Sequence, residues 1–135
     1  MMSLPQDFLD KMQQLLGEEF DEFIKSYDHE KSHGLRLNLL KTSMESFKEK
    51  NKLTLDSIPW VEEGFFYKGE ERPGKHPYHE AGVYYIQEPS AMSVGAFVEA
   101  KPGEKVLDLC AAPGGKSTHV ASQLGQKGLL VANEI

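Results

Sequence analysis

The sequence predicts an α/β protein in two parts: an N-terminal helical and α+β accessory domain over residues 1–80, then the first strand–helix–strand unit of a parallel sheet over 81–135. Three observations carry this expectation. Apolar residues recur at helical spacing through the first 27 residues, short alternating or apolar runs take over from Gly34, and a glycine-rich loop separates an apolar run at 105–109 from a helical segment ending near Leu124. With 135 residues, 39% hydrophobic and 27% charged, the chain has material for a modest core, which excludes a low-complexity reading of its bulk.

Ser3-Leu4-Pro5-Gln6 is a capping-box pattern with proline in the first turn. Phe8, Leu9, Met12, Leu15 and Leu16 follow at helical spacing, so a helix over about 4–16, closed by Gly17, is expected. Phe20, Phe23, Ile24 and Tyr27 continue as a second helix with its acids on the opposite, solvated face. Gly34 to Leu40 alternates apolar and polar residues and reads as a strand, and a helix from about Ser43 to Asn51 follows. Ile58 to Lys75 mixes aromatics with Gly, Pro and charges and is read as short strands and loops, while Lys75 to Gly82 is turn-like and marks the boundary between the two parts.

From Val83 the pattern is regular. Val83 to Ile86 is a strand candidate, and Ser90 can cap a helix carrying Met92, Val94, Phe97 and Val98. Pro102-Gly103 is a turn, and Lys105 to Leu109 suits a buried parallel strand. A helix around Ser117 to Leu124 and a strand from Leu129 to Ala132 complete a βαβ unit, the start of a Rossmann-like sheet.

Charge and composition narrow the function. The formal −6 resides entirely in residues 1–30, where eight acids meet two bases (Lys11 and Lys25), and the other 105 residues balance at thirteen of each. That is no polybasic surface for coating phosphates. The single cysteine, Cys110, excludes an internal disulfide framework and a Cys-rich zinc module, and points to a reducing compartment. No apolar run approaches the roughly 20 residues of a membrane helix, and the first residues lack the parts of a signal peptide, so a cytoplasmic location and no membrane partner are expected.

Two motifs match other chemistries poorly. His29-Glu30-Lys31-Ser32-His33 fits the zinc-peptidase spacing, but Gly34 and a strand-like run follow at once, and Arg36 and Leu39 stand where the extended motif has Gly and His. No metal is expected there, nor at His76 and His79. The run ending Gly115-Lys116-Ser117 resembles a phosphate-binding P-loop, but Cys110 occupies its first glycine position and Pro113 removes a backbone donor.

A third pattern uses the whole context. Asp108 ends a strand, small residues fill 111–115, a helix begins near Lys116, and Glu134 stands twenty residues after Gly114, close to the offset at which a nucleotide-binding βαβ unit places its ribose carboxylate. Small side chains let a ligand approach the backbone, and the helix N-terminus offers N–H groups to a carboxylate or phosphate. Glu134 can accept hydrogen bonds from two ribose hydroxyls, and Asp108 is placed to bind an amino group. A ligand with a carboxylate, an ammonium and a ribose is S-adenosylmethionine. The cofactor-binding candidates are therefore Cys110, Ala111, Ala112, Pro113, Gly114, Gly115, Lys116 and Glu134.

Asp108 to Ser117, reading Asp-Leu-Cys-Ala-Ala-Pro-Gly-Gly-Lys-Ser, resembles the cofactor motif of the Sun-type (Nop2/Sun) RNA cytosine-C5 methyltransferases. Arg36-Leu37-Asn38 with Leu40-Lys41, the stretch from Gly82 to Met92, and Glu134 agree with it. Together with the N-terminal helices and His76-Pro77-Tyr78-His79, they look most like the bacterial RsmF-like 16S rRNA methyltransferase branch of that family. The resemblance implies an S-adenosylmethionine-dependent methyltransferase fold, ribosomal RNA as partner, and cofactor contacts from Cys110 to Lys116 and from Glu134. It also implies a cysteine attacking C6 of the cytosine and a second releasing the product, in Pro-Cys and Thr-Cys motifs absent here. Cys110 belongs to the cofactor loop, so no catalytic residue is assigned within this chain, and Cys110 is not promoted to nucleophile. The apolar ending Val131 to Ile135 and the missing motifs lead to the expectation of an N-terminal fragment, inactive alone. The alternative is a noncatalytic RNA-binding or scaffold fragment that holds RNA through Arg36, Lys41 and neighbours, on a weak electrostatic signal.

Overall fold

A computed structural model describes residues 4–135; the Ser3 side of the expected capping box lies outside the described residues. The chain divides into two compact units, one ending at Lys31 and the other running Ser32–Ile135.

The first unit holds two helices. In α1 (Gln6–Leu16) the apolar stripe drives the fold, and Gly17, at φ +53°, ends it where a side chain would be strained. A 3₁₀ turn over Gly17–Glu19 leads into α2 (Phe20–Ser26). The rings of Phe8, Phe23 and Tyr27 meet at centroid separations of 5.4–6.3 Å, a small aromatic cluster standing where a full core would otherwise be, and the acids of both helices face solvent.

The second unit is built on a four-stranded antiparallel sheet in the order β2-β3-β1-β4, with β1 (His33–Leu37), β2 (Leu55–Ser57), β3 (Gly64–Tyr67) and β4 (Tyr84–Ile86). Leu35 sits opposite both Phe65 and Ile86. β1 stops at Leu37, short of the expected Leu40, because Asn38 turns the chain: its carbonyl accepts from Lys41 N–H and its Oδ1 from Leu40 N–H. Next comes α3 (Met44–Lys50), capped by the Ser43 hydroxyl, which accepts from Ser46 N–H at 3.1 Å. The segment expected as a turn at 75–82 contains a single helical turn, α4 (Pro77–Glu80), because His76 Nδ1 caps it by accepting from Tyr78 N–H at 3.1 Å. β4 then joins β1, so the sheet continues past residue 81.

One face of this sheet carries the core of Leu35, Leu37, Phe47, Phe65 and Tyr84. The other is covered by α5 (Pro89–Val98), which approaches so closely at Gly34 that a Cβ there would lie 2.9 Å from Met92 Cε. α5 begins one residue before the expected Ser90 cap. Pro89 takes the first helical position and the Glu88 carboxylate accepts from Ala91 N–H at 2.9 Å, while the Ser90 hydroxyl donates to that same carboxylate.

The βαβ unit forms as expected, with β5 (Lys105–Asp108) parallel to β6 (Leu129–Ala132) and joined to it by α6 (Gly115–Leu124). Val106 and Leu130 pack under α6 with Ala100, Val120 and Leu124. β5 is not the buried strand its composition suggested. Leu107 is 59% exposed, because the helical layer covers one face of this two-stranded sheet and alternate side chains point to the other. Among the described residues no helix is long and apolar enough to cross a membrane.

Candidate functional site

The loop between β5 and α6 is held from three directions. Asp108 closes it from below: Oδ1 accepts from Cys110 N–H at 3.2 Å and Oδ2 from the Ser117 hydroxyl at 2.6 Å, tying the end of β5 to the first turn of α6. Asn133 N–H donates to Asp108 O and Ala111 N–H to Asn133 O, so the backbone pairing of β5 with β6 runs on into the loop. Glu134 then reaches the same loop, its Oε2 accepting from Ala112 N–H at 2.8 Å and its Oε1 from Ile135 N–H at 3.2 Å. These backbone donors hold the Glu134 carboxyl below the ordinary carboxylate range, with partial desolvation and the Asp108 charge acting the other way.

The candidates Cys110 to Gly115 thus line one loop, Lys116 sits in the first turn of α6, and Glu134 is brought against Ala112 although it lies 22 residues further on. The Ala112–Pro113 bond is cis. Gly114 is the N-cap of α6 at φ +103°, with no side chain to cap the helix, and a Cβ there would meet nothing within 4 Å. The positive end of the helix is therefore open, and its first N–H groups have no intrahelical acceptor.

That arrangement suits the anionic end of a ligand at α6, with a hydroxyl-bearing group at Glu134. Each carboxylate oxygen of Glu134 retains a further lone pair beside the backbone bond it makes. Asp108 is engaged by the protein's own donors and works first as the staple of the loop.

Sequence reasoning missed the layer beneath. Arg36, expected as an RNA-holding base in the binding alternative, is 1% exposed. Its Nη2 donates to Gly115 O at 3.0 Å and to Thr118 Oγ1 at 2.9 Å, and its Nε donates to Gln87 Oε1 at 3.2 Å. Burial pulls its pKa down to about 10, against the charge of Glu63 and then of Tyr85, so the guanidinium keeps its charge at neutral pH. Lys41 is exposed, with its ammonium on Ala81 O. Tyr85 donates its hydroxyl to Pro113 O at 3.1 Å. The one signal available is an arginine between two leucines in β1, and alternation does not tell which of the strand's faces is covered.

His29 lies in a bend and His33 opens β1, so the zinc-peptidase spacing does not fall on a helix. Among the described residues no group of three His, Cys, Asp or Glu side chains is gathered to hold a metal ion.

The family described as the N-terminal domain of 16S rRNA methyltransferase RsmF matches residues 4–89, and the family of 16S rRNA methyltransferase RsmB/F matches residues 96–135. The chain belongs to the RsmF family. It is 39% identical to a ribosomal RNA small subunit methyltransferase F of Shewanella baltica (strain OS185) over 99% of its own length, and 38% identical to the protein of that name from Erwinia tasmaniensis over 96%. It spans 30% of the length of each of these relatives. Among solved structures, a methyltransferase homolog protein from Pyrococcus horikoshii superposes with a TM-score of 0.79 at 30% identity, covering 96% of this chain and 44% of that one. NSun6 from the same organism, solved with SFG, gives a TM-score of 0.78 at 18% identity over 95% of this chain and 58% of that one, a likeness of fold. The α/β class and the Sun-type family read from the Cys110 to Lys116 motif are those found.

Proposed function

We propose that these residues supply the cofactor loop of an S-adenosylmethionine-dependent methyltransferase that acts at C5 of a cytosine in ribosomal RNA. The observation that carries this reading is the open N-terminus of α6 beside a glutamate fixed on the same loop at Ala112. The N–H groups at the start of α6 receive the methionine carboxylate, Glu134 orients the ribose, and Asp108 adds a negative charge for the ammonium. When bound, S-adenosylmethionine supplies an electrophilic methyl group. Family membership and the names of the relatives support ribosomal RNA as the acceptor, and such a substrate goes with a cytoplasmic location.

Isothermal calorimetry of the 135-residue chain tests the cofactor assignment. S-adenosylmethionine binds weakly, Glu134→Ala lowers that affinity about 10-fold through loss of charge-assisted hydrogen bonds, and ATP does not compete. Tight ATP binding without S-adenosylmethionine binding overturns the assignment.

The chemistry at the base needs a cysteine nucleophile, and Cys110, the only cysteine of the sequence, lies in the cofactor loop. These 135 residues alone therefore leave methyl transfer to 16S rRNA at background, and Cys110→Ser changes nothing in that assay. Transfer above background that Cys110→Ser abolishes makes Cys110 the nucleophile and removes the reading. Holding RNA through Arg36 loses its basis, because that guanidinium faces α6.

A further inference from the structure

The antiparallel sheet reaches Pro113 O and Gly115 O directly, and the carbonyl between them, Gly114 O, through Thr118 of α6. The Tyr85 hydroxyl, on β4, donates to Pro113 O. The Thr118 hydroxyl donates to Gly114 O at 2.8 Å and accepts from Arg36 Nη2, which comes from β1. The same Nη2 donates to Gly115 O. Gln87, which holds Arg36 Nε, also lies against Gly115, where a Cβ would come 3.1 Å from its Nε2, a close approach of side chain to backbone.

Peptide planarity turns these contacts into a constraint on the opposite side. In a trans unit the carbonyl of one residue and the N–H of the next point in opposite directions, so fixing the oxygens of Pro113, Gly114 and Gly115 aims the N–H groups of Gly114, Gly115 and Lys116 away from the sheet. Gly114 N–H is taken by Ala111 O at 2.7 Å. Those of Gly115 and Lys116 belong to the first turn of α6, where no intrahelical acceptor exists.

We propose that Arg36 and Tyr85 are positioning residues for the cofactor: working from the antiparallel sheet, Tyr85 at Pro113 O and Arg36 at Gly115 O and through Thr118, they set the direction of the backbone donors at the start of α6. The assignment rests on reading this loop as the cofactor site, but its first test does not. Arg36 touches no ligand in this role. Its burial beneath α6 gives it a fixed geometry that a surface arginine lacks, and three neutral acceptors take its donors.

Amide hydrogen exchange on the ligand-free chain reads the constraint directly. Tyr85→Phe removes the tether on Pro113 O, whose peptide unit carries the Gly114 amide, and speeds exchange there about 5-fold, the loss of one hydrogen bond of ordinary strength; Thr118→Val frees Gly114 O and speeds exchange at the Gly115 amide. Amides of the β5–β6 pairing keep their rates, and Thr118→Ser, which retains the hydroxyl, restores the wild-type rate at Gly115. Arg36→Lys, which keeps the charge but loses the fork, falls with the accelerated variants; if it does not fold, the Tyr85 and Thr118 variants decide. Unchanged exchange at Gly114 in Tyr85→Phe and at Gly115 in Thr118→Val overturns the proposal, and so does equal acceleration across 32–135, which means general loss of stability. In calorimetry the same variants weaken S-adenosylmethionine binding, and Thr118→Ser restores it. A wild-type chain with no affinity for the cofactor defeats the cofactor reading and leaves the exchange result standing by itself.

Discussion

Glu63 and His119 meet at 2.7 Å, Oε1 to Nε2, with the imidazole 1% exposed and its Nδ1 without a hydrogen-bond partner. Burial acts to raise the Glu63 pKa, but the hydrogen bond from His119, its own backbone N–H, and the charges of His119 and Arg36 outweigh it, and the net displacement is downward. A carboxylate whose folded pKa lies below its unfolded value stabilises the fold fully above the ordinary carboxylate range and loses that contribution as pH falls through the folded value. Urea midpoints measured across the acid range should therefore fall for the wild type and fall less steeply for Glu63→Gln. Parallel curves rule out a role for this pair in acid stability. Neither residue stood out in the sequence, because the partners lie 56 positions apart and nothing local joins them.

At the scale of elements, α5 and α6 pack through a glycine. A Cβ on Gly95 would lie 2.2 Å from His119 Nδ1, and the imidazole cannot retreat because Glu63 holds its far side. Helix propensity favours Ala over Gly by about 1 kcal/mol, whereas overpacking a fixed neighbour costs about 1–3 kcal/mol. At so short an approach the steric cost prevails. Gly95→Ala should lose about 1–2 kcal/mol in urea unfolding, and a gain in stability sinks this account of the packing. Ser43→Ala, which removes only the cap of α3, should cost about 1 kcal/mol in the same measurement. The α3 cap was legible because a capping serine acts within its own turn. The α5 cap was misplaced by two residues, since Pro89 and Glu88 together outcompete Ser90 for the start of the helix.

Across the whole molecule, the apolar surface is unevenly covered. Leu107, Leu129 and Val131 are exposed beside one another on the face of β5–β6 away from α6, Leu109 just after β5 is exposed too, and Phe97 on α5 is 82% exposed. Parallel strands rich in aliphatic residues are suited to cover on both faces, and an open patch of this kind promotes association. Sedimentation of the 135-residue chain at rising concentration should show self-association that added salt does not reverse. Leu107→Gln with Val131→Thr should shift it toward monomer; a chain monomeric at every concentration contradicts this reading of the face.

What the sequence determined alone is local. The periodicity of α1 and α2, the Gly17 stop, the Ser43 cap and the β5–loop–α6–β6 order each depend on residues within a turn or two of one another, and the small residues at 111–115 and the spacing to Glu134 mark the loop in the sequence itself. The tertiary structure decided which faces are covered. Alternation in β1 distinguishes its two sides but cannot tell that both are buried, so the sequence does not show that α6 lies over Arg36. The same limit hid the exposure of Leu107, since a strand's composition records how apolar it is and not which neighbours reach it. Burial is a property of the layers that pack together, and only their arrangement turned an arginine expected to hold RNA into one that holds the loop.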